Sequence, residues 1–82
     1  MHTKNSVERL TQMVAKGLEA VKVGNMELAS QYAQDSAILV LFVTLFNPEG
    51  EQQHRKLFYP LALATHEYRF GHPINPELWG VQ

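Results

Sequence analysis

The residues best equipped for chemistry in this 82-residue chain are its four histidines, His2, His54, His66 and His72; there is no cysteine. Imidazole serves as a general base or as a metal ligand, and either task needs a second group held within reach. His66-Glu67 begins the His-Glu-x-x-His zinc-binding pattern, but Phe70 stands where the second histidine belongs. His54 and His66 are 12 residues apart, with Pro60 between them. On a straight helix that spacing is about a third of a turn out of register. His66 and His72 fall on either side of a helix stop at Gly71-His72-Pro73. The expectation is surface or hydrogen-bonded histidines, with no metal and no cofactor.

Other chemistries find less. Ser6, Ser30 and Ser36 lie in helical contexts, without the strained turn or glycine-rich oxyanion loop that activates a serine nucleophile. Glu49 and Glu51 are close in sequence but flank a turn, which suits solvated charge better than paired acid–base work. No glycine cluster offers a phosphate cradle. Nucleic-acid backbones are bound by concentrated lysine and arginine. Here seven basic and eight acidic residues are interspersed, and the densest basic cluster is Arg55-Lys56, close to Glu51. No nucleic-acid partner is expected, and no catalytic residue is assigned.

The element that organises the rest is Met26 to Phe46, above all the run Ala37 to Phe46. No charge occurs between Asp35 and Glu49. A helix that is apolar all round must be buried all round. The β-branched residues Ile38, Val40, Val43 and Thr44 also allow a buried strand. Helix is favoured because no Gly or Pro separates the run from the helical pattern before it, and a lone strand would lack a pairing partner.

Before it, Val7, Leu10, Val14, Leu18 and Val21 recur at helical spacing, with Arg9, Gln12, Lys16, Glu19 and Lys22 largely opposite. Asn5 and Glu8 have the spacing of a capping box. Gly17 inside this helix costs about 1 kcal/mol relative to Ala and points to a close helix contact. Gly24-Asn25 ends the first helix and caps the second, which makes the two antiparallel neighbours.

After it, Asn47-Pro48-Glu49-Gly50 reverses the chain, as a type I turn or as a helix start with Pro48 at the first position. Leu57, Leu61, Ala64 and Tyr68, with Phe58 and Ala62 alongside, form a third helical stripe. Pro60 predicts a kink there or two short helices. The tail, His72 to Gln82, holds Pro73, Pro76 and Gly80 yet carries Ile74, Leu78 and Trp79, so it is expected to dock on its own domain or on another chain.

Gly17, Gly24 and Ala29 sit at the spacing of the small positions of a tetratricopeptide repeat, and Val23-Gly24-Asn25-Met26-Glu27 resembles that family's inter-helix turn, over roughly residues 10–41. Met13 and Ala20 occupy its large aromatic positions, the terminating proline is missing and no second repeat follows. The resemblance implies helical-hairpin geometry; it implies no peptide binding and no particular partner.

Composition completes the picture. The chain is 45% apolar and 18% charged, with a net charge of −1. A chain of this length buries only roughly 60% of the surface it exposes when unfolded, so a shared core is attractive. The apolar run is about half of the ~20 residues a bilayer crossing needs. Extending it backward meets Asp35 and Glu27, so no membrane span is expected, and the polar start gives no signal-peptide pattern. The cytoplasm is the default location.

The sequence therefore predicts one all-α domain over residues 1–82. Helices span about 6–23, 26–46 and 50–70, as an antiparallel hairpin plus a kinked third helix, with an extended tail over 72–82. The expected role is non-enzymatic: a small interaction module, or a homo-oligomeric accessory subunit that also meets a larger protein partner. A dimer seam is expected at Leu39, Phe42, Val43 and Phe46, and partner-binding anchors at Phe58, Tyr68, Phe70 and Trp79, since aromatic side chains dominate interface centres. The competing reading is a small-ligand or enzymatic site at a subunit interface, built around His66 and Glu67.

Overall fold

The computed structural model describes residues 3–75 and 77, with side chains from Ser6 onward. Three α-helices account for nearly all of it: α1 (Thr3–Lys22), α2 (Met26–Phe46) and α3 (Glu51–Phe70). No strand occurs among the described residues. The β-branched run in α2 is thus helix, and the fold class is all-α.

The connections follow from local chemistry. At the end of α1 the Gly24 N–H donates to Val21 O (3.0 Å) and the Asn25 N–H to Ala20 O (2.8 Å). That pair of bonds is a Schellman ending, and it needs the left-handed backbone that Gly24 adopts at φ 82°. Asn25 then caps α2, its Oδ1 accepting from the Leu28 N–H at 3.1 Å. After α2, Pro48 opens a single turn of 3-10 helix, Pro48–Gly50, that runs straight into α3. Gly71, at φ 79°, closes α3 by donating its N–H to Glu67 O at 2.8 Å. Short connections leave α2 antiparallel to α1 and α3, which run parallel to each other.

Leu10, Val14, Ala33, Leu39, Phe58, Leu61 and Ala62 form the core, and Ile74 packs against its edge. Of the described tail residues Ile74 alone packs on the core of its own chain; His72, Pro73, Asn75 and Glu77 are exposed. Leu78 and Trp79, and the anchor expected of Trp79, lie outside the described residues.

Several expectations change in detail. α1 begins at Thr3, so Asn5 lies inside the helix rather than at its cap. The tie between Ser6 and His54 described below holds this first turn against α3. The buried line of α1 runs through Ser6, Leu10, Val14, Gly17 and Ala20, while Leu18 is exposed. The line is rotated because Gly17 brings the two helices together: a Cβ built on it would lie 2.6 Å from Leu61 Cδ2. In α3 the buried residues are His54, Phe58, Leu61, Ala62 and Thr65, leaving Leu57 and Ala64 on the flank and Tyr68 exposed. Helix α3 continues through Pro60 rather than splitting. Pro60 is on the exposed side, where water can serve the carbonyl left without its helical partner.

Candidate functional site

The side chains of α2 divide into two stripes. The inward one is Ala29, Ala33, Ser36, Leu39 and Val43, all buried. Its first three members are small, which lets the neighbouring helices approach closely. The outward stripe is Ile38, Leu41, Phe42, Leu45 and Phe46, spaced i, i+3, i+4, i+7 and i+8, the pattern of a helix face made for packing. None of the five is covered: Ile38 is 47% exposed, Leu41 58%, Phe42 50%, Leu45 66% and Phe46 79%. The Phe42 and Phe46 rings stack on each other, 6.0 Å apart and 12° from parallel. One turn toward the N-terminus the same face becomes polar, with Gln31, Gln34 and Asp35 exposed.

Grooves run along both flanks of this stripe. One, of about 370 Å³, lies between α1 and α2 and is lined by Arg9, Met13, Asp35, Ile38, Leu39 and Phe42. The other, of about 330 Å³, lies between α2 and α3, with Val40, Leu41 and Phe58 in its wall and Glu51 and Arg55 at its edge. These last two form an i,i+4 ion pair at 3.4 Å.

The expected interface residues separate on this geometry. Phe42 and Phe46 belong to the open stripe, whereas Leu39 (8% exposed) and Val43 (6%) face the core of their own chain. Of the expected anchors, Tyr68 and Phe70 are exposed, but Phe58 is buried at 3%, packing in the core with only an edge in the wall of the α2–α3 groove. The reason is its place on the α3 face that meets α1 and α2, one helical turn after His54.

A serine–histidine pair does exist, and sequence spacing gave no sign of it. Ser6 and His54 are 48 positions apart, yet Ser6 Oγ lies 2.9 Å from His54 Nε2. His54 Nδ1 is 2.7 Å from Gly50 O, and a carbonyl can only accept, so Nδ1 carries the proton. Nε2 is then the ring nitrogen that meets the Ser6 hydroxyl. The connectivity is that of an activated nucleophile, but Ser6 is 3% exposed and His54 is completely buried. In this buried position the pair is a polar tie joining the starts of α1 and α3.

His66 and His72 also meet, because the left-handed Gly71 folds the chain back over the last turn of α3. His66 Nδ1 lies 2.7 Å from His72 O, and the two rings are 4.9 Å apart at 68°. The Phe70 ring is 4.8 Å from His66, and the Arg69 guanidinium lies 4.8 Å above the Phe70 ring. Desolvation by burial lowers the Arg69 pKa, from a value high enough that the charge persists at neutral pH. Glu67 is exposed. Along the bundle this corner is about 20 Å from the first turn of α3 and the open end of α2, at 1.5 Å per residue. Among the described residues, no group of three or more His, Cys, Asp or Glu side chains could hold a metal ion.

By length and hydropathy alone, α2 is also long and apolar enough to cross a membrane. No family model, curated protein or solved structure matches the chain.

Proposed function

We propose that this protein is a small non-enzymatic interaction module that works as a homodimer, with the outward stripe of α2 as its contact surface. The observation that carries the reading is the exposure of Ile38, Leu41, Phe42, Leu45 and Phe46 on one helix face with no charge among them. Together they leave ~500 Å² of apolar surface in water, at the upper end of what monomers carry. Two such stripes would bury ~1,000 Å² between them, and the flanking grooves extend the contact toward the size of a specific interface.

A second copy is the occupant best matched to the stripe, because the stripe is complementary to itself in one orientation. Parallel pairing would set the two Gln31–Gln34–Asp35 segments side by side, with like charges adjacent. Antiparallel pairing about an axis near Leu41 and Phe42 sets Ile38 against the partner's Leu45 and sends the two Asp35 carboxylates to opposite ends. Either orientation gives a twofold dimer, so the charge at Asp35 is what favours the antiparallel one. A larger protein partner would then meet the exposed aromatic corner at Tyr68 and Phe70.

Sedimentation equilibrium over a micromolar concentration series, with and without neutral lipid vesicles, tests the proposal. The expected result is a reversible monomer–dimer equilibrium and no vesicle binding. A folded monomer at every concentration, or recovery of the protein with the vesicles, would overturn it.

A further inference from the structure

We propose that His66 and His72 form a two-histidine binding site for a borderline divalent transition-metal ion such as Zn²⁺, on the corner where α3 ends. The argument begins with proton positions. His66 Nδ1 faces His72 O at 2.7 Å, and His72 Nδ1 faces Pro73 O at 3.1 Å. Carbonyl oxygens only accept, so each Nδ1 carries a proton, and Nε2 is the nitrogen each ring would offer a metal ion. A backbone carbonyl on the other ring nitrogen is how metal-ligating histidines are usually held in the right tautomer.

Ring spacing agrees. With Zn–N bonds of about 2.0–2.1 Å and tetrahedral angles, two imidazoles that share one ion through Nε2 have centres about 5 Å apart. The observed separation is 4.9 Å. The scaffold is asymmetric: His66 is half-buried, braced by its short bond and by the Phe70 ring, while His72 is exposed and held by its contact with Pro73 O. Water completes the coordination, since only two protein ligands converge. Imidazole ligands suit Zn²⁺, Ni²⁺ and Cu²⁺ and not Mg²⁺ or Ca²⁺, which require oxygen. The site sits at the opposite end of α3 from the α2 stripe and is independent of dimerisation.

Titration of the full chain with Zn²⁺ alone, followed by histidine ring NMR and calorimetry, tests the site. The expected outcome is saturable binding of one ion per chain in the sub-millimolar range, with the His66 and His72 ring signals shifting together. H66Q and H72Q should each weaken binding tenfold or more while far-ultraviolet circular dichroism stays unchanged. H2Q, which removes the histidine near the amino terminus, should leave binding intact, and Mg²⁺ should produce no shift. Absence of saturation, an affinity indifferent to H72Q, or loss of binding in H2Q would each overturn the assignment.

Discussion

The Leu61 side chain occupies the space in which a Cβ on Gly17 would lie, with its Cδ2 and Cδ1 at 2.6 and 2.7 Å from that position. Leu61 is completely buried, so its methyl groups have no free direction in which to retreat. This contact sets how closely α1 and α3 approach. It offsets the helix propensity that glycine forfeits in the middle of α1.

Gly17→Ala should therefore destabilise the fold despite adding a better helix former. Propensity contributes about 1 kcal/mol in its favour, and overpacking opposes it by about 1–3 kcal/mol. The net expectation is a loss of about 1 kcal/mol in urea unfolding. In a double-mutant cycle Leu61→Ala should cost less in the Gly17→Ala background than alone, because the added methyl fills part of the cavity. Additive effects would mean that the two residues do not share that space.

Ser6→Ala leaves the buried His54 Nε2 without the hydroxyl that serves it, which should cost about 1–3 kcal/mol. Replacing both partners, as Ser6→Ala with His54→Phe, should be less damaging than the sum of the single changes. The buried polar atoms are then gone together. Thermal melting of the four proteins reads the difference.

The two faces of α2 should answer a charge in opposite ways. Phe42→Glu, on the open stripe, should keep its circular dichroism and melting behaviour at low concentration while shifting the sedimentation equilibrium to monomer. Val43→Glu, one residue on but buried, should unfold the chain, because an unpaired charge cannot be accommodated there. Equal damage from both substitutions would refute the two-stripe description.

Gly24 and Gly71 adopt φ near 80° with open space around a would-be Cβ, so alanine at either should be strained by its backbone alone. A cost of about 1 kcal/mol is expected for each in chemical denaturation. Gly71→Ala carries a second signature, since it disturbs the turn that folds His72 back. The His66 ring resonances should move in that variant and stay in place in Gly24→Ala.

The sequence by itself determined the three helices and the reversals between them, but not where α1 begins. Gly24, Asn25, Pro48 and Gly71 act through local backbone chemistry that needs no distant partner. It also determined that α2 could not be wholly covered, because Ile38, Leu41, Phe42, Leu45 and Phe46 complete an apolar circumference and two neighbours supply only two stripes. In the N-terminal half of α2 the inward side was legible in the sequence: Ala29, Ala33 and Ser36 are small enough for close packing and lie opposite the exposed Gln31, Gln34 and Asp35. Over Ala37 to Phe46, apolar on every side, no polar face orients the helix, and tertiary structure decided. That choice placed Leu39 and Val43 in the core and left Phe42 and Phe46 outside. The pairing of Ser6 with His54 and the meeting of His66 with His72 were likewise settled only in three dimensions. One rests on the parallel approach of α1 and α3 across 48 residues. The other rests on the left-handed turn at Gly71, which brings together two rings that a continuous helix would have kept on different faces.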